Sequence, residues 1–145
     1  MARTYLYSFI FRRSILGTTL IINEFCRQAV GTPFVPDGDD FNGWDCWGLL
    51  RSFYKHCMGI ELTNYRTKPI EDSFETEIVK WKEIKDDVKP GDGILMRGEP
   101  FHVAVVISRN KMLHVTVGAD TTLEDFTSVR WRHQIVGFYR RENHV

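Results

Sequence analysis

Residues 102–117 read HVAVVISRNKMLHVTV, and this stretch decides the fold. Two runs rich in valine and isoleucine, HVAVVI (102–107) and MLHVTV (112–117), flank a short polar segment. β-Branched residues favour strands, and a short polar break between two such runs is typical of a hairpin. The stretch therefore predicts two antiparallel strands, each of which carries one histidine.

The length of the connecting loop decides whether His102 and His114 share a face of that sheet, because side chains alternate along a strand. A loop of two residues would place the histidines on opposite faces. A loop of three residues, ending at Asn110, pairs Ile107 with Lys111 and makes the histidines diagonal neighbours on one face. Asparagine tolerates the left-handed conformation that the longer loop needs at its last position. We therefore predict the three-residue loop.

Upstream of this hairpin, the sequence predicts a helix from about Asp45 to Met58. Its apolar residues recur at helical spacing and share one buried face: Cys46, Leu49, Leu50, Phe53 and Cys57. Three polar residues are expected on the other side: Arg51, Ser52 and Lys55. Asp45 is a good N-cap residue and Gly59 a natural C-terminal cap. Cys46 is therefore expected in the first turn of a helix that packs on the core.

The remaining segments extend this layout in both directions. Further helices are predicted at 18–30 and, more weakly, at 71–84. Their expected inward residues are Leu20, Ile21, Phe25 and Ala29 in the first, and Phe74, Ile78 and Trp81 in the second. Further strands are predicted at 94–96 and 135–140. Helices followed by an antiparallel sheet predict an α+β fold.

The composition argues against three classes of protein: those that bind nucleic acid through its phosphates, those held by a disulfide scaffold and those with a zinc site. The 145 residues suit one domain, 1–145, and 19 basic against 19 acidic residues give a net charge of zero. Nucleic-acid binding through phosphates needs a basic excess, so no nucleic-acid partner is expected. Three cysteines without a CxxC pair, and no HExxH motif, predict neither a disulfide scaffold nor a metal site.

The N-terminus contains two apolar runs, at 5–11 and 15–22, which Arg12 and Arg13 separate. Neither run approaches the ~20 apolar residues that a membrane span needs, and no convincing signal-peptide cleavage site follows. We therefore expect no membrane span and no cleaved signal, and we expect residues 1–16 to be a poorly ordered start.

Cys46, His102 and His114 form the candidate catalytic set. The first turn of a helix favours thiolate over thiol, and its backbone N–H groups can hold an oxyanion. We therefore expect Cys46 to be a nucleophile with a stabilised thiolate. His114 would hold the ring of His102, whose other nitrogen would face the sulfur; this is an arrangement of nucleophile, base and orienting group. Cys26 and Cys57 are interpreted as packing residues.

Five blocks of the sequence, in order, resemble the NlpC-type cell-wall peptidases, which are papain-like cysteine hydrolases. The blocks are Gly31-Thr32-Pro33-Phe34, Asp45-Cys46-Trp47-Gly48-Leu49, Val88-Lys89-Pro90-Gly91-Asp92, Phe101-His102-Val103-Ala104-Val105-Val106 and Met112-Leu113-His114. The best match covers residues 31–118, with a weaker echo at 136–140. The resemblance implies N-terminal helices packed on a central antiparallel sheet.

The same resemblance implies that Cys46 is the nucleophile, His102 the general base and His114 the third polar residue. The implied substrates are peptidoglycan stem peptides, and no cofactor is implied. The Trp47 version of the cysteine block resembles the phage and prophage tail-associated branch. That likeness implies phage tail proteins as partners, synthesis in the host cytoplasm and carriage to the cell wall on the virion tail.

Four residues are expected to line the substrate cleft: Phe34, Trp44, Asp45 and Trp47. Many members of the family have Tyr at the position of Phe34, and phenylalanine cannot donate a hydrogen bond to an oxyanion. This departure keeps open an inert structural module of a phage tail tip. An amidase or acyl-transfer enzyme with the same three residues and another substrate also remains open.

Overall fold

Helices precede most of the sheet in the computed structural model, which describes residues 15–64, 77–98 and 101–142. The helices are α1 (Ile15–Ala29), α2 (Cys46–Phe53), which continues into a π-helical turn (Tyr54–Met58), and α3 (Val129–Arg132). The strands are β1 (Asp39–Asp40), β2 (Gly43–Trp44), β3 (Trp81–Ile84), β4 (Gly93–Met96), β5 (His102–Val106), β6 (Lys111–His114), β7 (Thr122–Asp125) and β8 (Ile135–Arg141). The predicted α+β fold is confirmed.

Six strands form the central sheet in the order β3-β8-β4-β5-β6-β7, with every neighbouring pair antiparallel. In the hairpin of β5 and β6, Val105 pairs with Leu113 and Val106 pairs with Met112. The N–H of Ile107 donates to the carbonyl of Lys111 at 2.8 Å. This register closes a three-residue loop, as predicted, and places both histidines on one face.

The two faces of the sheet carry separate apolar cores. Val105, Leu113 and Val115 face the helices and pack in one cluster with side chains of α1 and α2. Ala104, Val106 and Met112 face the other side, where they pack in a second cluster with Phe126. Because His102 alternates in register with Ala104, it lies on the side of the second cluster.

Helix α1 starts three residues earlier than predicted, and Ile15 and Leu16 of the expected poorly ordered start are helical. The rest of that start, residues 1–14, lies outside the described residues. Leu20 was expected inward, but its side chain is 60% exposed. The buried stripe is Ile22, Phe25, Cys26 and Ala29, because these residues lie at the i, i+3, i+4, i+7 spacing of a single helix face.

Helix α2 follows the sequence prediction at both ends. Asp45 is its N-cap, and Gly59 ends the following π-helical turn with a φ of 70°. The predicted apolar face is buried at Leu49, Leu50, Phe53 and Cys57. Ser52 was expected on the polar side, yet it is buried, and its hydroxyl lies 3.4 Å from Nδ1 of His56 one turn further along.

The helix predicted at 71–84 is wrong over its last six residues, of which residues 79–80 form a turn. Residues 81–84 form the edge strand β3, which pairs along its length with β8 from Trp81–Arg141 to Ile84–Phe138. A full ladder of backbone hydrogen bonds outweighs a weak amphipathic pattern here. Phe74 lies outside the described residues. Among the helices of the described ranges, none is both long and apolar enough to cross a membrane.

Candidate functional site

The start of α2 places Cys46 against the central sheet. One carboxylate oxygen of Asp45 accepts the N–H of Gly48 at 2.8 Å, and the other accepts the N–H of Asp37 at 3.1 Å. Asp45, which was expected to line the cleft, therefore caps the helix and fixes the preceding loop. Cys46 is half-buried, and its sulfur lies beside the backbone N–H of Val103, the residue after His102.

The predicted stabilisation of a resting thiolate at Cys46 is wrong. Burial raises the pKa of this thiol above its usual value, and the negative charge of Asp45 adds to the increase. The backbone N–H groups of Val103, Trp47 and Cys46 act in the opposite direction but do not outweigh burial. The helix dipole and the unpaired N–H groups of the first turn favour the thiolate, but the cost of removing its charge from water is larger here.

The other two cysteines fit their interpretation as packing residues. Cys26 and Cys57 are 6% and 0% exposed and belong to the helix-side core. Burial raises the pKa of Cys26 to about 11. Of the three thiols, Cys46 is therefore the one that solvent and substrate reach most easily.

His102 and His114 meet as the predicted register requires. Nε2 of His102 lies 3.1 Å from Nδ1 of His114, and the two ring planes meet at 64° in an edge-on arrangement. Burial, together with the neighbouring His114, lowers the pKa of His102 to about 4. Burial also lowers the pKa of His114. Both rings are therefore neutral near pH 7, and a neutral imidazole can accept a proton.

The sequence analysis missed two residues that complete this cluster. Nε2 of His114 lies 2.7 Å from a carboxylate oxygen of Glu124 on β7. The indole N–H of Trp131, on α3, donates to the other oxygen of Glu124 at 3.1 Å, and its ring packs edge-on against His114 at 4.8 Å. The available signal was the Thr-Thr-Leu run at 121–123, which has strand character next to the second histidine strand.

A metal-binding role finds no support in this cluster. Among the residues of the three described ranges, no group of three or more His, Cys, Asp or Glu side chains is arranged to hold a metal ion. The structure places a thiol at a helix start beside the strand that carries His102, and it pairs two neutral imidazoles with a carboxylate behind them. Such a set is suited to nucleophilic and general-base chemistry.

Comparison with known families matches residues 31–140 to the model of the NlpC/P60 family. The chain belongs to the NlpC/P60 family. Members of this family are cysteine peptidases and hydrolases. The match contains all the residues of the cluster, from Cys46 to Trp131.

Relatives of known structure or name agree with membership of the NlpC/P60 family. The γ-DL-glutamyl hydrolase of Bacillus subtilis (strain 168) is 26% identical over 122 residues, which cover 83% of this chain and 28% of that protein. This chain therefore spans less than a third of that relative's length.

Two solved structures share the fold. A lipoprotein-like NLP/P60 family protein from Staphylococcus aureus subsp. aureus Mu50 superposes with a TM-score of 0.66 at 22% identity, over 88% of this chain and 42% of that chain. The NlpC/P60 domain of the peptidoglycan hydrolase SagA gives 0.61 at 18% identity, over 84% and 97%. At these identities the likeness establishes the papain-like architecture.

Two tryptophans expected to line the cleft of this NlpC/P60 domain are buried. Trp44 has no exposed surface, and its indole N–H donates to the hydroxyl of Thr121 at 2.7 Å. Trp47 is 8% exposed, and its indole N–H donates to the carbonyl of Thr63 at 3.0 Å. Both indoles therefore pack in the helix-side core, and a contact of Trp44 or Trp47 with substrate stays a prediction.

Phe34 is half-buried and packs against the helix-side core. Its backbone forms an isolated bridge to Trp44, and its N–H donates to the carbonyl of Ala119 at 3.3 Å. Phe34 thus links the segment that precedes Cys46 to the loop that follows β6. It supplies an apolar surface and no side-chain donor.

Proposed function

We propose that this chain is a cysteine endopeptidase that hydrolyses amide bonds in peptidoglycan stem peptides. The observation that carries the proposal is the 3.1 Å contact between His102 and His114. His102 lies on β5, next to Val103, whose backbone N–H is beside the sulfur of Cys46. The proposed roles are nucleophile for Cys46, general base for His102 and orienting residue for His114. Membership of a family of cysteine peptidases and hydrolases supports this assignment.

The proposed reaction starts from a neutral pair, because burial raises the pKa of Cys46 and lowers that of His102. The thiol proton moves to Nδ1 of His102 as the sulfur attacks the amide carbonyl carbon. The tetrahedral intermediate collapses when the imidazolium gives this proton to the leaving amine, which breaks the C–N bond. Water, deprotonated by His102, then hydrolyses the thioester and restores the thiol.

Backbone N–H groups are the proposed donors to the oxyanion. Those of Cys46 and Trp47 act on the sulfur and lie at the start of α2, where the helix dipole also favours negative charge. Phe34 adds no donor. Loss of one oxyanion donor costs about 100-fold to 1,000-fold in rate in other enzymes, so we expect turnover to be modest.

The name of one relative narrows the class of bond. The Bacillus subtilis protein is named for hydrolysis of γ-DL-glutamyl bonds, and it shares 26% identity with 83% of this chain. We therefore propose that the scissile amide has a glutamyl residue of the stem peptide on its acyl side.

The test is digestion of purified sacculi with the wild-type chain and with Cys46→Ala, followed by mass spectrometry of the released muropeptides. The expected result is new N-termini within stem peptides, in the wild-type digest alone. Equal background signals from both proteins would support the inert tail-tip module. Transfer products without new N-termini would support the acyl-transfer enzyme.

We also propose that the chain is carried on a phage or prophage tail. The support is the Trp-containing cysteine block, Asp45-Cys46-Trp47-Gly48-Leu49, which resembles the tail-associated branch. Purified tails from the phage or induced prophage that encodes the chain should contain it in fixed stoichiometry by quantitative mass spectrometry. Tails that lack the chain would remove this part of the proposal.

A further inference from the structure

Glu124 contacts the ring nitrogen of His114 that lies on the opposite side of the ring from His102. The distance from its carboxylate to Nε2 of His114 is 2.7 Å, and the distance from Nδ1 of His114 to Nε2 of His102 is 3.1 Å. The side chain of His114 is 2% exposed and that of Glu124 is 28% exposed. Three groups therefore form a continuous hydrogen-bonded chain, Glu124–His114–His102.

This chain has one arrangement of protons that satisfies every contact. Burial acts to raise the pKa of Glu124, but hydrogen bonds from Trp131 and His114 outweigh it and hold the pKa below its usual value. An ionised carboxylate only accepts, so Nε2 of His114 must carry the proton. Nδ1 of neutral His114 is then an acceptor, and Nε2 of His102 must donate to it. The lone pair of His102 is left on Nδ1.

The opposite arrangement is unfavourable for a specific reason. It would point the lone pair of Nε2 of His114 at a carboxylate 2.7 Å away, and two acceptors at that distance repel each other. It would also move the proton of His102 to Nδ1, where the ring could no longer accept the thiol proton of Cys46.

The carboxylate also acts when His102 becomes charged. As the thiol proton arrives, the positive imidazolium of His102 donates more strongly to His114, whose outer N–H points at a negative charge. A carboxylate behind a histidine stabilises that charge and fixes the ring orientation. The environment is partly buried, which strengthens the interaction.

We propose that Glu124 is a positioning residue that sets the tautomers of both histidines and so leaves the lone pair of His102 on Nδ1, the nitrogen that the proposed function assigns as the base for Cys46. The indole of Trp131 holds the second carboxylate oxygen at 3.1 Å and keeps the side chain in place. This inference rests on the proposed function for its catalytic consequence, whereas the tautomers themselves do not depend on any substrate.

Another charged group reaches the same carboxylate. The guanidinium of Arg130 lies 3.7 Å from Glu124 and stacks over the ring of Trp131 at 4.7 Å. The side chain of Arg130 is 74% exposed, so water screens its charge. His114, by contrast, is buried and makes the shorter contact, and we assign the tautomer effect to this contact.

The first test reads the tautomers directly. Long-range ¹H–¹⁵N spectra of the imidazoles at pH 7 should show the Nε2–H form for both His102 and His114 in the wild-type chain. In Glu124→Ala, His114 should populate both tautomers. Spectra that show Nδ1–H at His114 in the wild-type chain would overturn the proposal, whatever the chain cleaves.

The second test reads the reactivity of Cys46 without a substrate. Iodoacetamide labelling of Cys46, mapped by peptide mass spectrometry across pH 5 to 10, should be slower in Glu124→Ala and should have its midpoint at higher pH. Glu124→Gln, which keeps an acceptor oxygen but has no charge, should be intermediate. The matched control is Glu83→Gln, which removes the same charge at the exposed ion pair with Lys85 and should label like the wild type.

The third test applies once cleavage of stem peptides is established. We expect kcat/KM to fall about 10-fold to 100-fold in Glu124→Ala, the range seen when the outer partner of a metal-bound histidine is removed. Circular dichroism and the urea midpoint identify variants that fail to fold. A folded Glu124→Ala with wild-type labelling and turnover would overturn the proposal, whereas absent turnover in the wild type with the expected tautomers would overturn only the peptidase assignment.

Discussion

Two glutamates, Glu77 and Glu124, lie near opposite edges of the sheet and make related contacts, although Glu77 is the more buried and also accepts the backbone N–H of Thr63 at 3.1 Å. Each accepts an indole N–H from a tryptophan and a second hydrogen bond from a basic side chain. For Glu77 the donors are Trp81 at 2.7 Å and Arg141 at 2.8 Å; for Glu124 they are Trp131 at 3.1 Å and His114 at 2.7 Å. The basic partner is permanently charged in the first cluster and titratable in the second.

This difference separates a structural cluster from one that can handle protons. Arginine stays protonated at any pH a protein tolerates, so the Glu77–Arg141 pair can only hold β3 against β8. Histidine exchanges one proton between two nitrogens, so Glu124 can decide which nitrogen of His114 is a donor. The same carboxylate and indole therefore do different chemistry according to the third residue.

Breaking the arginine cluster should have the largest effect on stability. Glu77 is 2% and Arg141 8% exposed, so Glu77→Ala would leave a buried positive charge without its partner. We expect the free energy of unfolding to fall by about 3–5 kcal/mol, measured by urea denaturation. The double variant Glu77→Leu/Arg141→Met should lose less than Glu77→Ala alone; a larger loss would contradict a purely structural pair.

The histidine cluster should make stability depend on pH at higher pH than the arginine cluster does, because the pKa of Glu77 is already lowered from 4.5. The pKa of His102 is about 4 in the folded chain and 6.5 in the unfolded chain. As the pH falls below 6.5 the unfolded state takes up the proton first, so stability falls between pH 6.5 and 4, by about 3 kcal/mol from this residue.

Thermal unfolding of the wild type and of His102→Gln at several pH values tests this expectation. The variant should show a shallower decline of the melting temperature over that window. His133→Gln, which removes an exposed histidine, is the matched control and should keep the wild-type slope. Parallel slopes for all three proteins would mean that His102 does not resist protonation in the folded chain.

A second arginine pair, Arg140 with Asp92, should have a smaller effect than Glu77–Arg141. Both guanidinium contacts to Asp92 are 2.8 Å, and the carboxylate also accepts the N–H of Lys89, but Arg140 is 38% exposed. Asp92→Asn should therefore cost about 2 kcal/mol in urea denaturation, because water can solvate the released guanidinium in part. A loss as large as that of Glu77→Ala would show that the exposure of the arginine does not determine how much each ion pair contributes to the free energy of unfolding.

The smallest effect is expected at the exposed partner of Glu124. Arg130 is 74% exposed and 3.7 Å from the carboxylate, so Arg130→Gln should change the free energy of unfolding by less than about 1 kcal/mol. Salt titration of the wild type should remove most of that difference. A larger loss of unfolding free energy that salt does not reduce would show that Arg130 stabilises the histidine cluster directly.

The sequence was most informative where local rules and packing agree. The alternation of HVAVVI and MLHVTV, with Asn110 at the end of the loop, was sufficient to predict the register that joins His102 to His114. Asp45 and Gly59 marked both ends of the cysteine helix for the same reason, since capping is decided by adjacent residues.

The remaining features depend on contacts between distant parts of the chain. Trp81 became part of a strand because β8 offered it a complete ladder. Glu124 joined the site because β7 pairs with β6, and the strand character of residues 121–123 alone does not predict which strand they pair with. The pKa of Cys46 followed burial, which no local pattern reports. Burial of the Trp44 and Trp47 indoles in the helix-side core likewise depends on contacts with distant segments.

Thr121 links the segment before Cys46 to the strand that carries Glu124. Its backbone exchanges hydrogen bonds with Gly31 and Thr32 at 2.9 and 2.8 Å, and its hydroxyl accepts from the indole of Trp44, two residues before Cys46. Thr121 also directly precedes the strand that carries Glu124. Local fluctuations that detach the loop before Cys46 must therefore disturb the strand behind His114 as well, so the two sides of the cleft form one cooperative unit in native-state hydrogen exchange.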